Sequence, residues 1–293
     1  MRVFLYTTFA LVAFAFNSIL CRLALRGEET DAAGFTAVRL VSGAVALVVI
    51  WYLFGRSTDA RVKNTLPNGR VSAFGSWPSA LFLFAYAVCF SFAYLGLTAG
   101  TGALILFGSV QMSMVTAAIF KSERPSALES LGLVIAVSGL VYLVLPGLAS
   151  PPLTSSLLMA AAGMSWAAYT LRGKSSTDPL ADTTGNFVRS LPMIAVIALI
   201  YLPNLHLTSN GWLFAIISGA ITSGVGYTIW YSVVKHHTTT RAAVLQLAVP
   251  VIAAAIGIVF LGEIATTTLL IAATLILGGI GLTIFGRNAE ART

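Results

Sequence analysis

The residues of this 293-residue chain that could do chemistry are few and lie apart from one another. All ten acidic residues, Glu28, Glu29, Asp31, Asp59, Glu123, Glu129, Asp178, Asp182, Glu263 and Glu290, fall between long apolar runs or at their ends, as do His206, His236 and His237. Without paired acids inside a run, a His/Glu cluster at metal-ligand spacing, or a nucleophile beside a base, we expect neither an enzyme nor a cofactor site. Cys21 and Cys89 read as small packing residues rather than a disulfide or metal pair.

The runs do contain two arginines, Arg39 and Arg189, three deep amides, several hydroxyls (Ser91, Thr116, Thr222, Ser223) and aromatics with a polar tip. In an apolar environment each needs an internal partner. Together they suit a small amphipathic solute, with amides fixing its polar groups and rings receiving its side chain. We expect Asn17, Tyr86, Gln111, Trp166, Tyr227, Trp230 and Gln246 to line a cavity. Tyr169 and Tyr231, nearer helix ends, read as an interfacial belt. The arginines read as scaffold that snorkels or pins helices through backbone carbonyls and the nearby Asp31 and Asp182. The alternative for either is a pair with a substrate carboxylate.

The elements that must position these groups follow from composition. With 57% hydrophobic and 9% charged residues and a mean hydropathy of +0.89, the chain reads as an integral membrane protein; a soluble domain would carry about 25% charged residues. A helix needs about 20 apolar residues to cross a bilayer. Cutting at polar and Gly/Pro breaks gives ten spans: 3–24, 33–54, 78–97, 102–120, 127–145, 153–171, 183–202, 212–234, 242–261 and 266–286. Runs such as 40–53 and 269–277 lack the alternation of a barrel strand, so the fold class is all-α. Gly224 and Gly226 in the eighth span, Pro250 in the ninth and Pro192 in the seventh mark places where backbone groups could be freed to face a cavity.

Charge tests the count, because Lys and Arg concentrate in cytoplasmic loops. With the amino terminus inside, thirteen of the seventeen basic residues fall on the cytoplasmic side and only Arg22 and Arg26 outside, so both termini are expected to be cytoplasmic. The net charge of +7 is thus an orientation signal that favours anionic lipid rather than nucleic acid.

The chain also resembles itself. A shift of 140 residues aligns Phe120 with Phe260, Glu123 with Glu263 and Gly139 with Gly279, and a shift near 150 aligns Arg22 with Arg172 and Arg39 with Arg189. We therefore expect two five-helix repeats, 1–147 and 148–293. An odd number of spans places the second copy upside down, an arrangement that suits alternating access.

Ten spans, paired arginines in the second helix of each half, and Glu-bearing junctions followed by Gly-bearing helices resemble the EamA-type branch of the drug/metabolite transporter superfamily. The resemblance implies a multi-pass protein of the bacterial inner membrane; the sequence leaves monomer and homodimer both open. It would export amino acids, aromatic or hydrophobic ones first, or related metabolites such as nucleosides or cationic compounds. The related small multidrug exporters carry a Glu eight residues before a basic residue closing the first helix. Here those positions are Phe14, before Arg22, and Met164, before Arg172. With no buried carboxylate, we expect facilitated rather than proton-coupled transport.

Overall fold

The computed structural model describes residues 2–26, 30–55, 74–120, 127–144, 151–237, 239–246 and 248–290. The basic loop after the second span, the Lys121–Arg124 segment with Glu123, and most of the Pro146–Pro152 linker lie outside these residues.

Among the described residues the chain is helical from end to end. The helices are α1 (Arg2–Leu25), α2 (Ala32–Ile50, continued by a π-helical turn Trp51–Gly55), α3 (Trp77–Ala93), α4 (Ala99–Phe120), α5 (Ala127–Val144), α6 (Leu153–Gly173) and α7 (Pro179–Ile200). Then come α8 (Ser209–Ile217, a π-helical stretch Ser218–Val225, and Gly226–Val234), α9 in two pieces (Thr239–Gln246 and Ala248–Leu261) and α10 (Thr267–Glu290). Five of them, Arg2–Leu25, Ala32–Phe54, Ala99–Ala117, Pro179–Ile200 and Ser209–Val234, are long and apolar enough by themselves to cross a membrane. Large apolar side chains such as Phe4, Phe54, Val259, Phe260 and Ile264 stand exposed on the outside, as lipid contact requires.

Helix starts differ from the hydropathy boundaries where a cap sets them. Asp178 accepts from the Ala181 N–H and Pro179 opens α7, four residues before hydropathy alone would start it. The expected loop 98–101 is instead the beginning of α4, because Glu263, distant in sequence, satisfies the first amides of that helix. Pro192 sits inside α7 without ending it.

The connections sort themselves onto two ends. At one end, Asp31 before α2 exchanges hydrogen bonds with His206 before α8, Arg26 donates to the Leu261 carbonyl closing α9, and Gly96 after α3 lies against Ser155 and Pro152 at the start of α6. At the other, Gly75 and Ser76 before α3 bond Asp182 and Asn186 of α7, Lys174 after α6 reaches Thr239 opening α9, and His237 after α8 meets Thr7 near the start of α1. Among the described residues, the first, third, fifth, seventh and ninth connections share one end and the second, sixth and eighth the other, as helices crossing in alternation require. The protein is an all-α, ten-helix membrane protein.

Helix neighbours follow the same pattern. α1 packs on α8 and α9, and α6 packs on α3 and α4; α2 packs on α8, and α7 on α3. α5 and α10 form an outlying pair in which Gly139 admits Leu275 and Ile276, and Gly279 admits the backbone of Gly132 and Ala136. Gly278 and Gly281 face open space, so close packing does not explain them.

Candidate functional site

The middle of the bundle is polar where a core would be dry. Asn17 of α1, 1% exposed, donates from Nδ2 to the Tyr86 hydroxyl of α3 at 3.1 Å. Its Oδ1 accepts from Ser218 at 2.7 Å and Thr222 at 3.2 Å, both in the π-helical stretch of α8. Tyr86 in turn accepts from the Tyr227 hydroxyl of α8 at 3.1 Å. The two tyrosines sit 141 positions apart, on the third helix of each half, close to the offset at which the halves align.

Trp166 of α6 packs its ring against Tyr227 (4.6 Å between centroids), Tyr86 (5.1 Å) and Phe14 (5.2 Å), and donates from Nε1 to the Gln246 amide oxygen of α9 at 2.9 Å. The Gln246 Nε2 returns to the Ala242 carbonyl, which fixes the amide. Trp230 is fully buried and meets Phe14 edge-on, with its Nε1 lacking an acceptor among the described residues. Gln111 is buried in α4, one turn before the Met114 sulfur that faces Gln246. Of the seven expected residues, six are thus joined by hydrogen bonds or ring contacts through one cluster, and Gln111 is buried in α4 beside it. Among the hydroxyls, Ser91 bonds its own helix and Thr116 is exposed, whereas Thr222 and Ser223 enter the cluster.

Three sequence expectations need correcting. Arg39 neither snorkels nor pairs with Asp31, which caps α2 and holds His206 instead. The guanidinium is 1% exposed and lies at the centre of the cluster: Nε donates to Ser223 Oγ at 3.0 Å, and Nη2 to Tyr227 at 2.7 Å and Tyr86 at 3.4 Å. It also lies about over the rings of Tyr86 and Phe90, 5.3 and 5.0 Å from their centroids. Second, Tyr169 and Tyr231 are not a belt. Both are buried, their rings 4.8 Å apart, with the Tyr231 hydroxyl donating to the Tyr169 carbonyl at 2.7 Å. Third, Phe14 is more than an absent carboxylate, since its ring wedges among Trp166, Tyr227 and Trp230. Its depth in α1 was readable; its partners, on α6 and α8, were not.

Small residues make this convergence possible. A Cβ on Gly219 would strike the Arg39 carbonyl oxygen and Ser42 Oγ, and one on Gly43 would strike Phe187. The wider turn of the π-helical stretch therefore presses on α2 beside Arg39, a distortion of the kind that gathers at functional sites.

The two ends of the bundle differ. At the end bearing Gly75 and Lys174, a cavity of about 320 Å³ is lined by Ser76, Ser79, Arg172, Ser176, Asp182, Asn186 and Tyr231, with Arg172 donating to Ser79 at 2.8 Å. Tyr231, Tyr169 and Tyr227 form a column of rings from that cavity to Arg39. At the opposite end Glu263 accepts from the Ala99 amide at 2.7 Å and lies 3.7 Å from Arg22, while Arg22 donates to the Tyr94 carbonyl. Gly262, at φ 65°, turns the chain out of α9, and Gly257 leaves room for the returning carboxylate.

The bundle is thus a multi-pass membrane protein with a polar and aromatic interior and a cavity at one end. The sequence profile of the EamA-like transporter family matches residues 153–285, which run from α6 into α10. An uncharacterized protein of Pseudomonas aeruginosa is 43% identical over 291 residues, 99% of this chain and 97% of its own length. A probable amino-acid metabolite efflux pump of Salmonella typhimurium is 26% identical over 69% of this chain and 72% of its own. A probable terminal-alkyne amino-acid exporter of Streptantibioticus cattleyicolor is 28% identical over 71% and 73%. The chain belongs to the EamA-like transporter family.

Proposed function

We propose that this protein exports amino acids with aromatic or hydrophobic side chains across a bacterial inner membrane, by alternating access and without proton coupling. The observation that carries this is the cluster itself. Amides and hydroxyls of α1, α3 and α8 stand beside the rings of Phe14, Tyr86, Trp166 and Tyr227, so a polar head and an apolar side chain find adjacent surfaces. The names of the Salmonella and Streptantibioticus relatives support amino acids as the class of cargo.

The helix neighbours support two repeats, 1–147 and 148–293, since the contacts α1·α8, α1·α9 and α2·α8 have the counterparts α6·α3, α6·α4 and α7·α3. Inverted copies of one unit can rock about the cluster and open it to either side. The end with the cavity also carries Arg172, Lys174 and Lys235, so by the charge rule it is cytoplasmic and this conformation faces the cargo to be exported.

Uptake by proteoliposomes of a labelled panel of amino acids, purine nucleosides and cationic dyes tests the reading. Aromatic amino acids should move fastest, with no imposed pH gradient. Preference for dyes or nucleosides, or a strict requirement for a proton gradient, would overturn it.

A further inference from the structure

The hydrogen bonds around Arg39 leave one kind of group missing. A guanidinium has five N–H donors and no acceptor. Nε and Nη2 are taken by the hydroxyls of Ser223, Tyr227 and Tyr86, but Nη1, fully buried, has no acceptor among the described residues. Those hydroxyls are neutral, and each must also place a hydrogen of its own. Asn17 adds a donor to Tyr86, while its acceptor Oδ1 is already occupied by Ser218 and Thr222. Donors therefore outnumber acceptors at the buried centre.

Charge is unbalanced in the same place. The described groups facing Arg39 are Cys21 from α1, Tyr86 and Phe90 from α3, and Ser223 and Tyr227 from α8, with Asn17 one hydrogen bond further on through Tyr86. None is a carboxylate, and the one described ion pair, Arg22–Glu263, belongs to the end of the bundle. Ring faces and neutral hydroxyls offset only part of the cost of burying a cation, so a fixed charge without a counter-ion is open to a ligand that brings one.

Resting on the export reading above, we infer that Arg39 is the anchor for an anionic cargo headgroup, a carboxylate, which docks at Nη1 and completes both the charge and the hydrogen bonding of the cluster. The planar fork of the guanidinium matches the two carboxylate oxygens. The Tyr86 and Tyr227 hydroxyls can turn their hydrogens toward the same group. The rings of Phe14 and Trp166 then meet the rest of the molecule, and the π-helical stretch Ser218–Val225 beside Arg39 is the element that would shift to admit it. The substrate class is thereby narrowed to small molecules with a free carboxylate next to an apolar group. Cationic and uncharged cargo is disfavoured by the guanidinium.

The test uses the purified full chain with phenylalanine, 3-phenylpropionate, phenylalaninamide, phenethylamine and the phosphonate analogue of phenylalanine. Binding is read by intrinsic tryptophan fluorescence, since Trp166 borders the site, and transport by uptake into proteoliposomes. Both carboxylates should bind about 100-fold more tightly than the amide and the amine, because a site built for a hydrogen-bonded anion leaves its donors unpaired when that group is lost. Arg39→Gln should erase that preference. Arg39→Lys, keeping the charge without the fork, should retain it in weakened form, and the wild-type ligand series needs no variant to fold.

Equal binding of acid, amide and amine would overturn the inference, and transport of that panel would still leave the export reading in place. A phosphonate far tighter than the carboxylates would overturn the carboxylate assignment in favour of a dianionic headgroup. Arg39-dependent carboxylate binding without any transport would uphold the anchor while removing the exporter.

Discussion

Arg39 and Arg189 occupy equivalent places, 150 residues apart in the second helix of each half, and do different work. Arg39 is buried among three hydroxyls of α3 and α8. Arg189 is only partly buried, and its Nη1 donates to the carbonyls of Phe74 and Gly185, tying the segment that enters α3 onto α7. The first therefore lies inside the buried cluster, where the anchor is proposed, and the second ties two segments of backbone together. The difference comes from the facing helix. α8 presents Ser223 and Tyr227 one turn apart, whereas 141 positions earlier α3 presents Phe82 and Tyr86, and that one tyrosine is drawn to Arg39. A repeat thus fixes where a residue stands, while the opposite half decides what it does.

The largest expected effect separates the two arginines. Arg39→Gln should fold and lose at least about 100-fold in transport per mole of monodisperse protein, the scale expected when one partner of a buried charge pair, worth about 2–5 kcal/mol, is removed. Arg189→Gln should do the reverse, lowering folded yield and melting temperature while the folded fraction transports within about threefold of wild type, as suits loss of about 1–2 kcal/mol of local hydrogen bonding. If Arg189→Gln folds normally and transports nothing, the asymmetry drawn between the halves is wrong.

Smaller effects should map the cluster. Tyr227→Phe, which removes an acceptor 2.7 Å from the guanidinium, should slow uptake about tenfold, in line with about 1.5 kcal/mol for a hydrogen bond to a charge. Asn17→Ala and Gln246→Ala should each slow it about fivefold, because neutral amides contribute about 1 kcal/mol. Thr116→Ala, on an exposed face of α4, serves as the control and should leave initial rates unchanged. Uptake by all three cluster variants at the wild-type rate would mean that cargo passes elsewhere.

Much of this was readable because the bilayer imposes it. Span length, loop charge and the need of deep polar groups for partners located the ten helices and brought out Asn17, Tyr86, Trp166, Tyr227 and Gln246 as a set. The partners of Arg39 are not legible from its symmetry with Arg189, since Ser223 and Tyr227 stand 184 and 188 residues away and no local pattern reveals them. Tyr231 and Tyr169 looked terminal because hydropathy reports depth along a helix but not which face it turns inward. The glycines of α8 signalled an interruption; only the contact of Gly219 with α2 shows that it takes the form of a π-helical stretch beside the arginine.

A second pair of equivalent arginines sharpens the comparison at the ends of the bundle. Arg22 closes α1 beside Glu263, whose carboxylate also holds the first amides of α4, whereas Arg172 closes α6 in an open cavity with only serine partners among the described residues. If closure at the first end is what keeps this conformation facing the cytoplasm, weakening it should let the outer side open more often. Glu263→Gln keeps the shape but removes the charge that both Arg22 and the α4 amino-terminal end favour, a loss of about 1 kcal/mol for a partly exposed pair and helix end. The opened population should then rise roughly fivefold. A single cysteine at Thr98 in a background lacking Cys21 and Cys89 reports it, through its rate of labelling by an impermeant thiol reagent added from outside. Ser79→Ala, at the end already open, should leave that rate unchanged. Faster labelling in Ser79→Ala, or slower labelling in Glu263→Gln, would show that Glu263 braces α4 without holding the outer end shut.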